Sequence, residues 1–201
     1  MILDARHRPD LALMIRKAAL LVPDSAGVLW AARLLGRPRL EIYPGVELML
    51  DLCRACAARG RAVALFGGRP GVAQAAAGRL AELCPGLRVA GAWHGFPAPE
   101  EESRLLAGLK ALKPAALFVG TGSPRQELWI GRHLESLGVP VAMGVGGSLD
   151  VYAGTVPRAP AAMRRAGLEW LHRVLREPSR LPRILRLGRF VAAVLREKLV
   201  A

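Results

Sequence analysis

Three short apolar runs in this chain each end in a glycine-rich turn that leads into a helix-like segment. Ala116-Leu117-Phe118-Val119 enters Gly120-Thr121-Gly122-Ser123-Pro124, followed by an amphipathic stretch from Gln126 to Leu137. Ala62 to Phe66 enters Gly67-Gly68-Arg69-Pro70-Gly71 and then an Ala-rich segment. Val139 to Met143 enters Gly144-Val145-Gly146-Gly147-Ser148, with Asp150 just beyond. A short apolar run bounded by Gly and Pro reads as a strand buried on both faces. Strand, turn and helix in repetition is the grammar of βαβ units, which predicts a parallel sheet with flanking helices. The carboxyl ends of such strands share one sheet edge. Turns that open helices there carry backbone N–H groups without helical partners, which suits phosphate. Any one of these turns alone reads as a plain tight turn. Three on one edge point to a ligand site, and Gln126 brings to it a side chain that both donates and accepts hydrogen bonds.

The remaining segments fit the same plan. Leu11 to Leu20 predicts a helix leading into a short strand, Ala19 to Val22, which meets Pro23-Asp24-Ser25-Ala26-Gly27. Helices are expected over Val28 to Leu35, Val46 to Arg59, 71–83, Glu100 to Leu112 and 125–137. Strands are expected over 62–66, Leu87 to Ala92, 115–119 and 139–143, with Trp93 to Pro99 a loop. Beyond Asp150 the character changes. Pro157-Arg158-Ala159-Pro160 is a linker, Gly167 to Arg176 a helix, and Pro182 the first-turn proline of a last helix reaching about Val200. On that helix Ile184, Leu187, Val191, Val194 and Leu195 share a face, with Arg183, Arg186, Arg189 and Arg196 mostly opposite. A basic amphipathic helix of this kind suits a membrane surface, and equally a helix that packs its apolar face on the domain.

Composition sharpens this. The 201 residues are 52% apolar, enough for one domain with an appendage. No apolar run approaches the ~20 residues that span a bilayer, and Met1 to Arg8 lacks the apolar core of a signal peptide. A cytoplasmic location is therefore expected. The net charge is +13, and residues 161–201 carry ten Lys or Arg against three Glu. Such a balance calls for an acidic partner: nucleic acid, anionic lipid or a phosphate-rich ligand. Aromatic residues at 5% and the lack of an RNA-binding signature argue against nucleic acid.

Several chemistries are excluded by pattern. There is no GxGxxG, no Walker A and no GxSxG elbow. The five aspartates, Asp4, Asp10, Asp24, Asp51 and Asp150, include no DxD pair to hold a metal on a nucleotide-sugar diphosphate. A bound diphosphate would be met by backbone N–H groups and arginines. Cys53 and Cys56 form a CxxC inside a predicted helix without further ligands at zinc spacing, and His7, His94, His133 and His172 show no metal spacing either. Asp24, in a turn, suits a general base, and equally an Asx-turn or a helix cap.

Four segments occur in one order: Phe66-Gly67-Gly68-Arg69-Pro70-Gly71-Val72-Ala73, Val119 to Glu127, Gly144 to Asp150, and Arg158-Ala159-Pro160 followed by Gly167-Leu168-Glu169-Trp170-Leu171. Together they resemble the WecG/TagA/CpsF family of glycosyltransferases, glycosyltransferase family 26. Pro23-Asp24-Ser25-Ala26-Gly27-Val28 is similar to that family's Pro-Asp-Gly-x-Gly-Val. The resemblance covers nearly the whole chain. It implies a Rossmann-like α/β domain over 1–160 and a basic helical appendage over 161–201. It also implies an inverting, metal-independent transfer of an N-acetylmannosamine-type sugar from UDP to a polyprenyl-diphosphate-linked GlcNAc. The reaction would run at the inner membrane face, in cell-surface polysaccharide or teichoic-acid-type synthesis. No cofactor is implied beyond the UDP-sugar substrate, and an oligomer is compatible with the sequence.

By the same resemblance Asp24 aligns with the proposed general base and Gln126 with an active-site glutamine. Asp150 aligns with a residue near the uracil, and Arg173, Arg180 and Arg183 with arginines that close over the diphosphate. Gly67, Gly68, Gly120, Gly122, Ser123, Gly146 and Gly147 are the expected substrate-binding turns. Two departures stand out. Family members begin roughly forty residues earlier, with a strand carrying Thr-x-Asn, and Ile42 stands where the family has Arg. They leave a second reading: a nucleotide-sugar-binding homologue impaired in transfer.

Overall fold

A computed structural model describes residues 1–38, 40–160, 163 and 181–200. In order, the elements are α1 (Ile2–Ala5), α2 (Pro9–Lys17), α3 (Ala26–Leu34), α4 (Gly45–Ala58), β1 (Ala62–Gly67), α5 (Val72–Leu83) and β2 (Arg88–Trp93). They continue with α6 (Pro99–Leu112), β3 (Ala116–Gly120), α7 (Arg125–Leu137), β4 (Val141–Gly144), α8 (Ser148–Tyr152) and α9 (Leu181–Val200). The four strands are all parallel, in the order β2-β1-β3-β4. The chain divides into two compact units, one of Met1–Leu21 with Gly45–Pro157, the other of Val22–Pro44 with Arg158–Ala201.

The first unit is a sheet between two helical layers. Successive strand side chains point to opposite faces, so an unbroken apolar run feeds two cores at once. Val63, Leu65, Ala116 and Phe118 join Met49, Cys53, Ala73, Ala76, Leu80 and Leu149 beneath α4, α5 and α8. Ala64, Phe66, Leu117 and Val119 join Leu105, Leu109, Trp129 and Leu137 beneath α6 and α7. Polar ties connect the layers. Trp129 Nε1 donates to Glu102 Oε1 at 2.7 Å, binding α7 to α6, and Tyr152 Oη donates to the Val46 carbonyl at 2.6 Å, binding α8 to α4. Helix α6 opens on Pro99, where its missing N–H costs nothing, and Glu101 Oε2 accepts from Ala98 N–H at 2.8 Å. Helix α7 ends at Gly138, whose φ of 62° closes it.

In the second unit α9 packs on α3. Ala31 and Val194 are buried, Gly27 faces the Leu187 methyl, and Tyr43 N–H donates to the Pro23 carbonyl at 3.2 Å.

One expected strand is absent. Helix α2 stops at Lys17, and residues 18–24 form no ladder. Four apolar residues ahead of a proline are too few to hold a strand without a paired neighbour. Leu20 is 70% exposed, which is the opposite of a core strand. Asp24 thus follows an irregular segment, and the residue at the N-cap of α3 is Ser25. The predicted helix over Gly167 to Arg176 lies outside the described residues.

Candidate active site

Strands β1 and β3 are neighbours, but their onward connections diverge: β1 leads to β2 on one side and β3 to β4 on the other. This is the topological switch point of an open parallel sheet, where a crevice opens at the carboxyl ends. Gly67 and Gly120 stand opposite each other there, the last pair in the β1–β3 register. A Cβ on Gly67, whose φ is +151°, would lie 2.5 Å from the Gly120 carbonyl carbon and oxygen. A Cβ on Gly120 would lie 2.9 Å from the Gly146 carbonyl oxygen. The glycines are therefore required by backbone packed against backbone. The turns after β1, β3 and β4 lie side by side because no side chain separates them.

Close packing also decides which donors remain. Gly68 N–H donates to the Gly120 carbonyl at 3.2 Å, and Gly95 N–H to the Gly68 carbonyl at 2.8 Å. Val145 N–H donates to the Val119 carbonyl at 2.8 Å, and Gly146 N–H to Gln126 Oε1 at 3.0 Å. These groups are occupied inside the fold. Among the described residues, the N–H groups of Gly122, Ser123 and Gly147 donate to no other residue. They are among the backbone donors left for an anion at this edge, as are those of Thr121, Arg69 and Gly71.

Gln126 sits in the first turn of α7 and is only 5% exposed. Its Oε1 holds the β4 turn through Gly146, and its Nε2 donates to Glu127 Oε1 at 2.8 Å. The amide lies against Gly144, where a Cβ would come within 2.6 Å of Nε2. Both amide atoms are thus oriented, and one N–H of Nε2 is left over. Asp150 stands in the first turn of α8, and its carbonyl accepts from Thr155 N–H and Oγ1, both at 3.0 Å.

Two further residues at this edge escaped the sequence reading. Phe96, in the loop after β2, is 58% exposed, and the Arg125 guanidinium lies over its ring at 5.5 Å from the centroid. Arg125 also donates to the Thr121 carbonyl at 2.8 Å. An exposed ring capped by a cation offers a stacking face for a planar ligand group. The only sequence signal was a lone Phe between Gly95 and Pro97. Beyond β2, a shallow groove is lined by Trp93, His94, Pro97, Glu101, Arg104 and Leu105.

The first unit therefore gathers Gly67, Gly68, Gly120, Gly122, Ser123, Gln126, Gly146, Gly147 and Asp150. Asp24 belongs to the second unit. Arg173 and Arg180 lie outside the described residues, as does the side chain of Arg183, whose backbone is in α9. The cysteines are chemically quiet. Burial pushes the Cys53 thiol up to about 12 and also raises Cys56 and Cys84, so none presents a thiolate near neutrality. No helix among the described residues is long and apolar enough to cross a membrane.

Comparison with known proteins agrees with this geometry. An N-acetylglucosaminyldiphosphoundecaprenol N-acetyl-beta-D-mannosaminyltransferase of Staphylococcus aureus strain MW2 is 34% identical over 185 residues, which span 92% of this chain and 72% of that protein. A protein of the same name from Bacillus spizizenii strain W23 is 30% identical over 195 residues, 97% of this chain and 75% of that one. The model of the glycosyl transferase WecG/TagA/CpsF family matches residues 1–201. With the expected parallel sheet and its glycine-lined switch point in place, the chain belongs to the WecG/TagA/CpsF family of glycosyl transferases.

Proposed function

We propose that the chain transfers an N-acetylmannosamine-type sugar from UDP to a polyprenyl-diphosphate-linked GlcNAc, with inversion and without a metal. The observation that carries this is the switch-point crevice: the free N–H groups of Gly122, Ser123 and Gly147 suit phosphate oxygens, and Phe96 with Arg125 suits a base. The names of the relatives supply the sugar and the lipid-linked acceptor.

The chemistry follows from the groups assigned. In an inverting transfer the acceptor hydroxyl attacks the anomeric carbon from the face opposite the leaving group. The C–O bond to UDP breaks and its electron pair leaves with the diphosphate. Asp24 takes the acceptor proton as general base. The developing charge on UDP is met by the free N–H groups and by the arginines 173, 180 and 183. Helix α9 presents exposed Leu187, Leu195 and Leu199 beside exposed Arg189, Arg196 and Lys198. That composition suits peripheral attachment to an anionic membrane, where the lipid-linked acceptor resides.

The test is transfer of radiolabelled sugar from UDP-N-acetylmannosamine to a short-chain polyprenyl-diphosphate GlcNAc. Labelled product carrying the β-linkage supports the reading, and no product despite tight UDP binding refutes it as an active transferase. Ile42, in the place of the family's Arg, favours a second reading, a sugar-nucleotide-binding protein impaired in transfer. Restored turnover in Ile42→Arg, starting from an inactive chain that binds UDP, would establish it.

A further inference from the structure

Two polar side-chain oxygens at the β3–α7 junction are buried and have no hydrogen-bond partner among the described residues. They are Thr121 Oγ1 and Glu127 Oε2. Buried oxygens without partners are rare in native proteins, and each calls for an explanation. Thr121 shares its turn with the free donors Gly122 and Ser123, and Glu127 follows Gln126 in the first turn of α7. The Glu127 side chain is held in place from one end. Its Oε1 accepts from Gln126 Nε2 at 2.8 Å, and the Gln126 amide cannot flip without also losing Gly146 N–H at 3.0 Å. Glu127 therefore fixes the orientation of Gln126 and keeps Oε2 close to it.

The chemistry of Oε2 limits what it can meet. A carboxylate oxygen accepts hydrogen bonds and donates none. Phosphate oxygens are acceptors of the same charge, so the diphosphate is not its partner. A hydroxyl or an amide N–H on an uncharged part of the ligand is. The Thr121 hydroxyl can donate to such a group or accept from it.

Resting on the sugar-nucleotide reading above, we infer that Glu127 and Thr121 recognise a hydroxyl-bearing ring of the donor. Glu127 is then a specificity-determining residue for the donor, and through Gln126 a positioning residue. Two rings carry such hydroxyls, the ribose and the transferred sugar, and the shared chemistry is a neutral donor group placed against a fixed carboxylate.

Calorimetric titration of the full chain with UDP and with UDP-N-acetylmannosamine separates the two sources. Glu127→Gln keeps an acceptor for Gln126 Nε2 but can place an amide where Oε2 stood. Losing a hydrogen bond to a charged group weakens binding about ten- to a hundredfold. Loss confined to UDP-N-acetylmannosamine assigns the transferred sugar, and equal loss for both ligands assigns the ribose. Thr121→Val serves as the second variant. It removes a hydroxyl that has no partner among the described residues, so its Tm holds or rises while the same ligand binds more weakly. A purely structural role would lower Tm and leave both affinities alone. Unchanged affinities in both variants, with or without a fall in Tm, overturn the inference. A wild-type chain that binds neither ligand refutes the sugar-nucleotide reading itself, and this inference with it.

Discussion

Gln126→Glu is the sharpest probe of the site, because it changes one atom's charge and almost no volume. The new side chain still offers an oxygen to Gly146 N–H. Its other oxygen, however, replaces an N–H that donates to Glu127 Oε1 at 2.8 Å. Two ionised carboxylates at that separation repel by about 6 kcal/mol at an effective dielectric of about 20. Keeping a proton on the new carboxyl is cheaper. Starting from an ordinary glutamate pKa of about 4.3, it costs about 3.7 kcal/mol at pH 7. The protonated form therefore wins, and the shared proton restores an O–H donor where the N–H had been.

The carboxyl at position 126 has a pKa raised in the folded state, so the variant's stability is intact below the unfolded value of about 4.3. It falls as pH rises toward the folded value, by about 1.4 kcal/mol per pH unit. A chain of this size loses about 2–4 °C in Tm per kcal/mol. The variant should match wild type near pH 4 and melt about 7–15 °C lower at pH 7. Thermal melts of both proteins at half-unit intervals from pH 4 to 8 decide the matter. A Tm gap that does not open with pH would mean that positions 126 and 127 do not share a hydrogen bond.

Three further outcomes are expected. Asp24→Asn keeps the side chain's shape but removes the base, so turnover should fall about 10²–10⁴-fold with UDP affinity unchanged, and near-normal transfer would remove Asp24 from the mechanism. Because the sequence carries no DxD pair, excess EDTA should leave UDP-sugar binding and turnover as they were, and activity that returns only with Mg²⁺ or Mn²⁺ would reveal a metal site. Deleting 188–201 should weaken liposome binding and spare UDP affinity, while Arg180→Ala with Arg183→Ala should do the reverse. If both changes shift only the melting temperature, α9 is a packing element.

What could be read in the sequence is what repeats locally. Strands β1 and β3 are legible because both faces are buried, so Ala62 to Phe66 and Ala116 to Val119 are apolar without interruption. The glycine turns are legible because each follows a strand directly. The strand expected over Ala19 to Val22 fails since pairing depends on a neighbour, which no local pattern reports. Helix α8 was missed because five residues, Ser148 to Tyr152, are too few to show a period. In the site, the long-range partners were hidden. Gly146 N–H looked free in the sequence and is held by a side chain twenty residues away. Phe96 became a site residue only when α7 brought Arg125 over it.

Gly68 and Gly146 spend their N–H groups on joining the turns, which withdraws them from any ligand. Gly122, Ser123 and Gly147 offer three neutral dipoles against a ligand carrying a full diphosphate. Glu127, in the first turn of α7, is a carboxylate and no source of positive charge, and Arg125 is engaged with the Thr121 carbonyl and the Phe96 ring. Neutral donors of this kind can position a diphosphate, but the charge gathered on it as the sugar leaves calls for cations. The basic stretch from 161 to 201, net +7, is where the chain holds its largest surplus. Positioning at the sheet edge and neutralisation by the C-terminal arginines are then separable. Losing a free donor should weaken UDP and UDP-sugar alike, whereas losing an arginine should cost most in the transition state, where the leaving diphosphate is most charged.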